Sequence, residues 1–252
     1  MELCRCDLRA FVRGPGLTER QVAWLFLRVL RVVKGAHDCG VMLGDVRPEN
    51  FLLRVASWAW GAAFGGRDVL DWPCTMDELA KGVYELCLAD FGFSWFCCEG
   101  SELDRLCGYP GYCAPEVLLR RYSRSADLWS AGIMLYTFLC GRPPFEAKSF
   151  EESLAMSLDM DVPQLLGTGP WTEISSEAKT LVLRLLERDP SKRIAVEAAI
   201  HVTIAWGEAC AAGACEAPLV TQEPERPATS PRDPCPPAHP PCNLDHVLSM
   251  LE

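Results

Sequence analysis

The sequence predicts a mainly α domain with a small β-hairpin region, followed by an unstructured tail. Three observations carry this. Residues 18–38 form a long amphipathic stretch, residues 126–140 are apolar on nearly every side, and proline crowds the end of the chain. With 252 residues, 49% of them apolar and 23% charged, the chain has enough material for one large core.

The elements follow in order. Val22, Leu25, Phe26, Val29, Leu30 and Val33 fall at the spacing of one helix face. Thr18, with Gln21 three residues on, makes a capping box, and Gly40 can close the C-terminal end. A loop and a short apolar strand at 51–53 come next. Residues 54–82, RVASWAWGAAFGGRDVLDWPCTMDELAKG, hold three Trp and four Gly without any period. A loop of that length is uncommon inside a compact domain. It reads as an insertion, either a binding loop or translated non-coding sequence. Residues 83–89 alternate, with Tyr84, Leu86 and Leu88 on one side, and run as a strand into Asp90. The 126–140 helix is buried on every side. Ala178, Leu181, Val182, Leu185 and Leu186 form another amphipathic helix, capped by Ser175 or Ser176. A last helix begins after Ser191 and runs past Ala199. Nine prolines between Pro218 and Pro241 then mark a segment too polar to offset its chain entropy. Residues 207–242 are expected to be disordered, with LDHVLSMLE able to form a short helix on a partner. The domains are thus 1–206, carrying the insertion, and a proline-rich tail at 207–252.

The net charge of −10 argues against nucleic acid and anionic membrane as partners, because both need clustered Lys and Arg. The opening MELCRCDLRAFVRG lacks the apolar core of a secretory signal. The longest apolar run, 131–140, is about half of what a membrane span needs. Fourteen cysteines are scattered, several within apolar segments (Cys39, Cys87, Cys140). Without a signal, they indicate a reducing, intracellular setting, cytoplasmic or nuclear, and no disulfide framework. Cys235, His239, Cys242 and His246 are zinc-type ligands in a short span. Their proline-rich spacing matches no zinc pattern, which favours an unstructured tail that happens to hold them.

Five motifs occur in a fixed order: GDVRPENFLL, LADFGFS, CGYPGYCAPEVLL, SADLWSAGIMLYTFLCGRPPF and LLERDPSKRI. Alone, Asp-Phe-Gly reads as a turn, Pro-Glu-Asn as a loop and Asp127 as a helix cap. Together, over residues 1–206 less the insertion, they make a sequence that resembles the C-terminal lobe of a eukaryotic protein kinase. The resemblance is to the Ser/Thr type near the calcium/calmodulin-dependent group. It implies a helical lobe that uses ATP and Mg2+ to phosphorylate Ser or Thr hydroxyls of a protein substrate. By that resemblance, Asp45 accepts the proton of the substrate hydroxyl. Asn50 and Asp90 hold magnesium. Arg47 stands where the family has a Lys that reaches the γ-phosphate, and its planar fork is no simple equivalent of an ammonium. Leu52 floors the adenine ring, while the Glu2 carbonyl and Cys4 amide bond its edge. The resemblance also implies that Phe91 packs into an apolar stack aligning two lobes, that Asp127 anchors the catalytic-loop backbone, and that Glu116 and Arg193 form a buried ion pair.

The sequence departs from the family in several places. It contains no Gly-rich loop or strand Lys, and Met1-Glu2-Leu3-Cys4 looks like the hinge between lobes. The N-terminal β lobe is therefore expected to be absent, as in a truncated gene model, a fragment or a natural short form. Leu43 and Gly44 replace the family's His and Arg. Leu43 can fill the apolar role against Phe91, but Gly44 cannot receive an activating phosphate. Besides tyrosines, residues 93–113 offer Ser94 and Ser101 as hydroxyls, so no phosphate-driven ordering is expected. Tyr109 replaces a Thr and is expected to crowd the peptide site. Two readings remain. One is a Ser/Thr kinase domain, partial here. The other is a pseudokinase-like scaffold that binds partners through its helical face, the Trp-rich insertion and the proline-rich tail.

Overall fold

The described residues of the computed structural model, 4–13, 16–57, 74–98, 100–214 and 219, begin on an edge strand. This strand, β1 (Cys4–Asp7), turns directly into a short helix, α1 (Leu8–Val12). Asp7 makes the turn, its carboxylate accepting from the Ala10 amide at 2.7 Å. The long helix α2 (Glu19–Asp38) forms where the apolar spacing puts it, and all six of its predicted core residues are fully buried. Its capping box closes in both directions between Thr18 and Gln21, at 2.9 and 3.3 Å.

After α2 come β2 (Val41–Met42), a single 3₁₀ turn at Pro48–Asn50, and β3 (Phe51–Val55). A small helix, α3 (Met76–Ala80), leads into β4 (Tyr84–Leu88). β3 pairs antiparallel with β1 on one side and β4 on the other. A second, two-stranded sheet joins β2 to β5 (Trp95–Phe96). Regular structure thus reaches further into the 54–82 stretch than its composition predicts. β3 continues to Val55 because Phe51, Leu53 and Val55 alternate into the core, and Thr75 caps α3 by accepting from the Glu78 amide. Residues 58–73, with all three tryptophans, lie outside the described residues.

The rest is helical: α4 (Pro115–Leu118), α5 (Ser125–Cys140), α6 (Phe150–Asp159), α7 (Val162–Leu165), α8 (Ser176–Leu185) and α9 (Val196–Ala209). α5 is buried at every residue except Ser125 and Thr137, as its all-round apolar sequence requires. It packs between α2 and α8, while α9 packs on both α2 and α8. Of the two candidate caps, Ser175 starts α8, its hydroxyl accepting from the Ala178 amide.

A buried carboxylate ties these helices together. Glu19 is 4% exposed and accepts from the Ser175 amide (2.9 Å), the Ser175 hydroxyl (2.6 Å) and Trp206 Nε1 (3.1 Å). That contact carries the last helix past the expected boundary at 206. Trp206 and Cys210 are buried, and a wide turn continues to Ala214. The Leu219 amide donates to the Leu17 carbonyl at 2.9 Å, so ordered contacts reach into the stretch that composition marks as disordered. Cys235, His239, Cys242 and His246 lie outside the described residues, as do Met1 and Glu2. Among the described residues, no helix is long and apolar enough to cross a membrane, and the cysteines are free thiols.

Candidate active site

The site is assembled around Asp127, the third residue of α5, which is 1% exposed. Its carboxylate accepts from the backbone amides of Leu43 and Gly44, each at 2.9 Å, and lies 2.8 Å from His37 Nε2. The Arg124 guanidinium donates to the His37 carbonyl at 2.6 Å, so the end of α2 and the loop after β2 share one anchor. The expectation that Asp127 holds this loop by its backbone is met.

Position 44 looks like a loss in the sequence, but the backbone demands a glycine there. Gly44 has φ 75°, and a side chain would overlap the Phe93 carbonyl oxygen. Gly108, at φ 88°, approaches from the other side, where a Cβ would lie 2.6 Å from the Gly44 carbonyl oxygen. Three backbone segments therefore meet at a point with no room for side chains. The Ser94 hydroxyl donates to the Leu43 carbonyl at 3.0 Å and fastens the same junction. We expect Gly44→Ala to cost about 1–3 kcal/mol through left-handed strain and overlap, read from urea unfolding. An unchanged midpoint would show that Phe93 moves aside freely.

From this anchor the chain runs to Asp45. The 3₁₀ turn at Pro48–Asn50 folds Asn50 back, so that its amide nitrogen donates to the Asp45 carbonyl (2.9 Å) and to Asp45 Oδ2 (2.7 Å). Asp45 Oδ1 is buried without a partner. Burial pushes the Asp45 carboxyl up; the Arg47 charge and the Asn50 hydrogen bond pull it back, and the nearby Asp90 charge raises it again. The carboxylate therefore has one oxygen held by Asn50 and one without a hydrogen-bond partner.

Arg47 does not point freely into the site. Its Nε lies 3.2 Å from Glu49 Oε2, and its guanidinium sits 4.2 Å from the centre of the Tyr109 ring. Glu49 also pairs with Arg9 of α1. Tyr109 thus stacks with Arg47 and is 44% exposed. Glu49 is the residue that sequence reasoning missed. Its signal was its place inside the Pro-Glu-Asn run, two residues after an arginine.

Asp90 follows β4 with φ 64°, and its Oδ1 accepts from the Gly92 amide at 3.0 Å. Its carboxylate is exposed and near Asp45. Phe91 departs from expectation, since it is 58% exposed and no described apolar stack encloses it. Leu43 is buried in the core. Leu52 and Cys4 lie on the adjoining three-stranded sheet, where Asp7 faces Leu52 and Cys4 faces Arg54. Glu2 lies outside the described residues.

Further from the reaction loop, Glu116 and Arg193 pair as expected. Both guanidinium nitrogens meet the carboxylate, one of them at 3.0 Å. Arg193 also donates to the carbonyls of Ser125 and Glu187, each at 2.9 Å. A separate open cleft between α6 and α7, lined by Phe145, Met156, Met160 and Leu165, contains none of these residues.

Residues 1–204 match the family described as protein kinase domain. Calcium-dependent protein kinase 27 of Oryza sativa subsp. japonica is 37% identical over 200 residues, covering 77% of this chain and 28% of that protein. Calcium-dependent protein kinase 28 of the same plant is 38% identical over 199 residues, with coverages of 77% and 32%. Calcium-dependent protein kinase 31 of Arabidopsis thaliana is 36% identical over 201 residues, with coverages of 78% and 35%. The chain spans about a third of the length of these curated relatives.

Proposed function

Since the chain belongs to the eukaryotic protein kinase family, of the Ser/Thr type and close to the calcium-dependent group, we propose that its site serves transfer of the ATP γ-phosphate to Ser or Thr hydroxyls of a protein. The observation that carries this reading is the Asp45 carboxylate, with Oδ2 held by Asn50 and Oδ1 buried and unpartnered. An oriented carboxylate with one oxygen free of hydrogen bonds can accept a hydroxyl proton.

The donor set fits magnesium and ATP. Magnesium is held by one or two carboxylates together with substrate phosphates. Asp90 supplies an exposed carboxylate, and Asn50 spends its nitrogen on Asp45, leaving its oxygen for a cation. Bound Mg-ATP supplies the electrophilic phosphorus and neutralises the phosphate charge. Asp45 Oδ1 takes the hydroxyl proton, and Asn50 keeps that carboxylate from rotating. Arg47, now beside Glu49, would supply positive charge to the γ-phosphate when ATP is bound. Leu52 and Cys4, on the adjoining sheet, would hold the adenine ring when ATP is bound, and Glu2, the other residue assigned to it, lies outside the described residues.

A second reading has its own support. Arg47 is engaged by Glu49 and Tyr109, and Phe91 and Phe96 are exposed at 58% and 83%. Those features suit a pseudokinase-like scaffold that presents aromatic surface to a protein partner. The two readings part on one experiment. For the kinase, Mg-ATP raises the melting temperature of the wild type and not of Asp90→Ala. Asp45→Asn keeps the shift but loses about 10²–10⁴-fold in phosphotransfer. Because burial raises the Asp45 carboxyl and the base must be ionised, activity falls on acidification at a pH above that of an ordinary carboxylate. Equal null shifts in wild type and Asp90→Ala would remove the kinase reading and leave the scaffold.

A further inference from the structure

Cys6 and Cys74 are 68 positions apart in the chain, yet their sulfurs lie 3.9 Å apart. The backbone brings them together. Cys6 faces Leu53 on β1, beside a register irregularity between Cys4 and Cys6, and Cys74 directly precedes the Thr75 cap of α3. Both side chains are half-buried, within reach of a small solute. A disulfide needs the sulfurs to close by about 2 Å, within the range of side-chain rotation. The Cys6 thiol is held below its ordinary range, chiefly by its hydrogen bond with Cys74; burial and the Asp7 charge oppose this, and Arg5 aids it. Among the described residues, no group of three or more His, Cys, Asp or Glu could hold a metal ion.

We propose that Cys6 and Cys74 form a peroxide-responsive site that closes reversibly into a disulfide. The Cys6 thiolate attacks the O–O bond of hydrogen peroxide. The sulfur is oxidised to a sulfenic acid, and hydroxide departs and is protonated to water. Cys74 then attacks that sulfur, so that the S–S bond forms as the S–O bond breaks. The second hydroxide leaves as water with the Cys74 proton. Two thiols are oxidised and one peroxide is reduced to two waters. A dithiol reductant reverses the reaction by exchange.

The bond braces the sheet. It ties the edge strand β1 to the approach of α3, which packs on β4 at the opposite edge. At rest the described cysteines are free thiols, and the bond appears under oxidation. None of this depends on nucleotide binding or phosphotransfer.

The test uses the reduced full chain, treated with an equimolar amount of hydrogen peroxide, then alkylated and mapped by peptide mass spectrometry. The expected product is a Cys6–Cys74 linked peptide, two hydrogens lighter than its parts and reopened by dithiothreitol. The melting temperature of the oxidised chain rises. Cys74→Ser gives neither the linked peptide nor the rise, whereas Cys39→Ser, which removes an exposed thiol outside the pair, gives both. Recovery of Cys6 and Cys74 as alkylated thiols after peroxide, or Cys6 linked mainly to another cysteine, would overturn the proposal. Because the mapping is read on the wild type, a variant that folds poorly does not obscure the result.

Discussion

Replacing Arg193 with Ala is expected to lower stability by about 3–5 kcal/mol, the cost of a buried ion pair that loses one partner. Glu116 is 6% exposed and would keep a carboxylate with no counter-charge. The same change frees the carbonyls of Ser125 and Glu187, which Arg193 now satisfies. The pair joins α4 to the segment before α9, 77 positions further on, and the Ser125 bond adds the start of α5. Losing it therefore loosens three helices together. Urea unfolding followed by circular dichroism measures the effect. The double change Glu116→Leu with Arg193→Met should recover part of the loss, because two apolar side chains leave no isolated charge. Recovery stays partial because the two carbonyls remain unpaired. If Arg193→Ala costs under about 1 kcal/mol, water reaches Glu116 and the pair is not sealed as its burial indicates.

Asp127→Ala should be nearly as costly and more specific in its consequences. It leaves the amides of Leu43 and Gly44 without an acceptor, at about 1–3 kcal/mol for each buried group, and removes the partner of His37. Hydrogen exchange reads this directly, since the amides of residues 43 and 44 should lose their protection while those of α8 keep theirs. Since the loop between this anchor and β3 carries Asp45 and Asn50, its loosening should also abolish any phosphotransfer the chain supports. Unchanged protection at 43 and 44 would mean that the Gly44, Phe93 and Gly108 junction holds the loop by itself. Asp127→Asn keeps one acceptor oxygen and should fall between wild type and Ala.

Much of the site was legible because its residues are close in sequence. Asp45 and Asn50 meet across a five-residue loop, and a spacing pattern captures that contact. Gly44 was misleading. As a residue type it reads as a lost arginine, while its positive φ and the approach of Phe93 and Gly108 make glycine a requirement. Those neighbours lie 49 and 64 positions downstream, where no local pattern points back to position 44. Tyr109 was expected to crowd the peptide site; the fold also sets it against Arg47, so two departures from the family contact each other. Phe91 was placed in a stack from its motif, and its exposure depends on what surrounds it, which the motif does not contain.

Helices and their ends were determined by the sequence itself. The apolar stripe of α2, its Thr18–Gln21 box, the all-round apolar α5 and the Ser175 cap all rest on residues within a turn or two of one another, where backbone hydrogen bonds and side-chain spacing act. The order of Asp45, Asn50, Asp90, Glu116, Asp127 and Arg193 was equally plain. Tertiary structure alone decided which partner each buried polar group would find: Ser175 and Trp206 for Glu19, the loop amides for Asp127, Cys74 for Cys6, and Leu17 for the amide of Leu219. A group removed from water must be satisfied by whatever the folded chain brings within about 3 Å, and that neighbour is set by packing of the whole core.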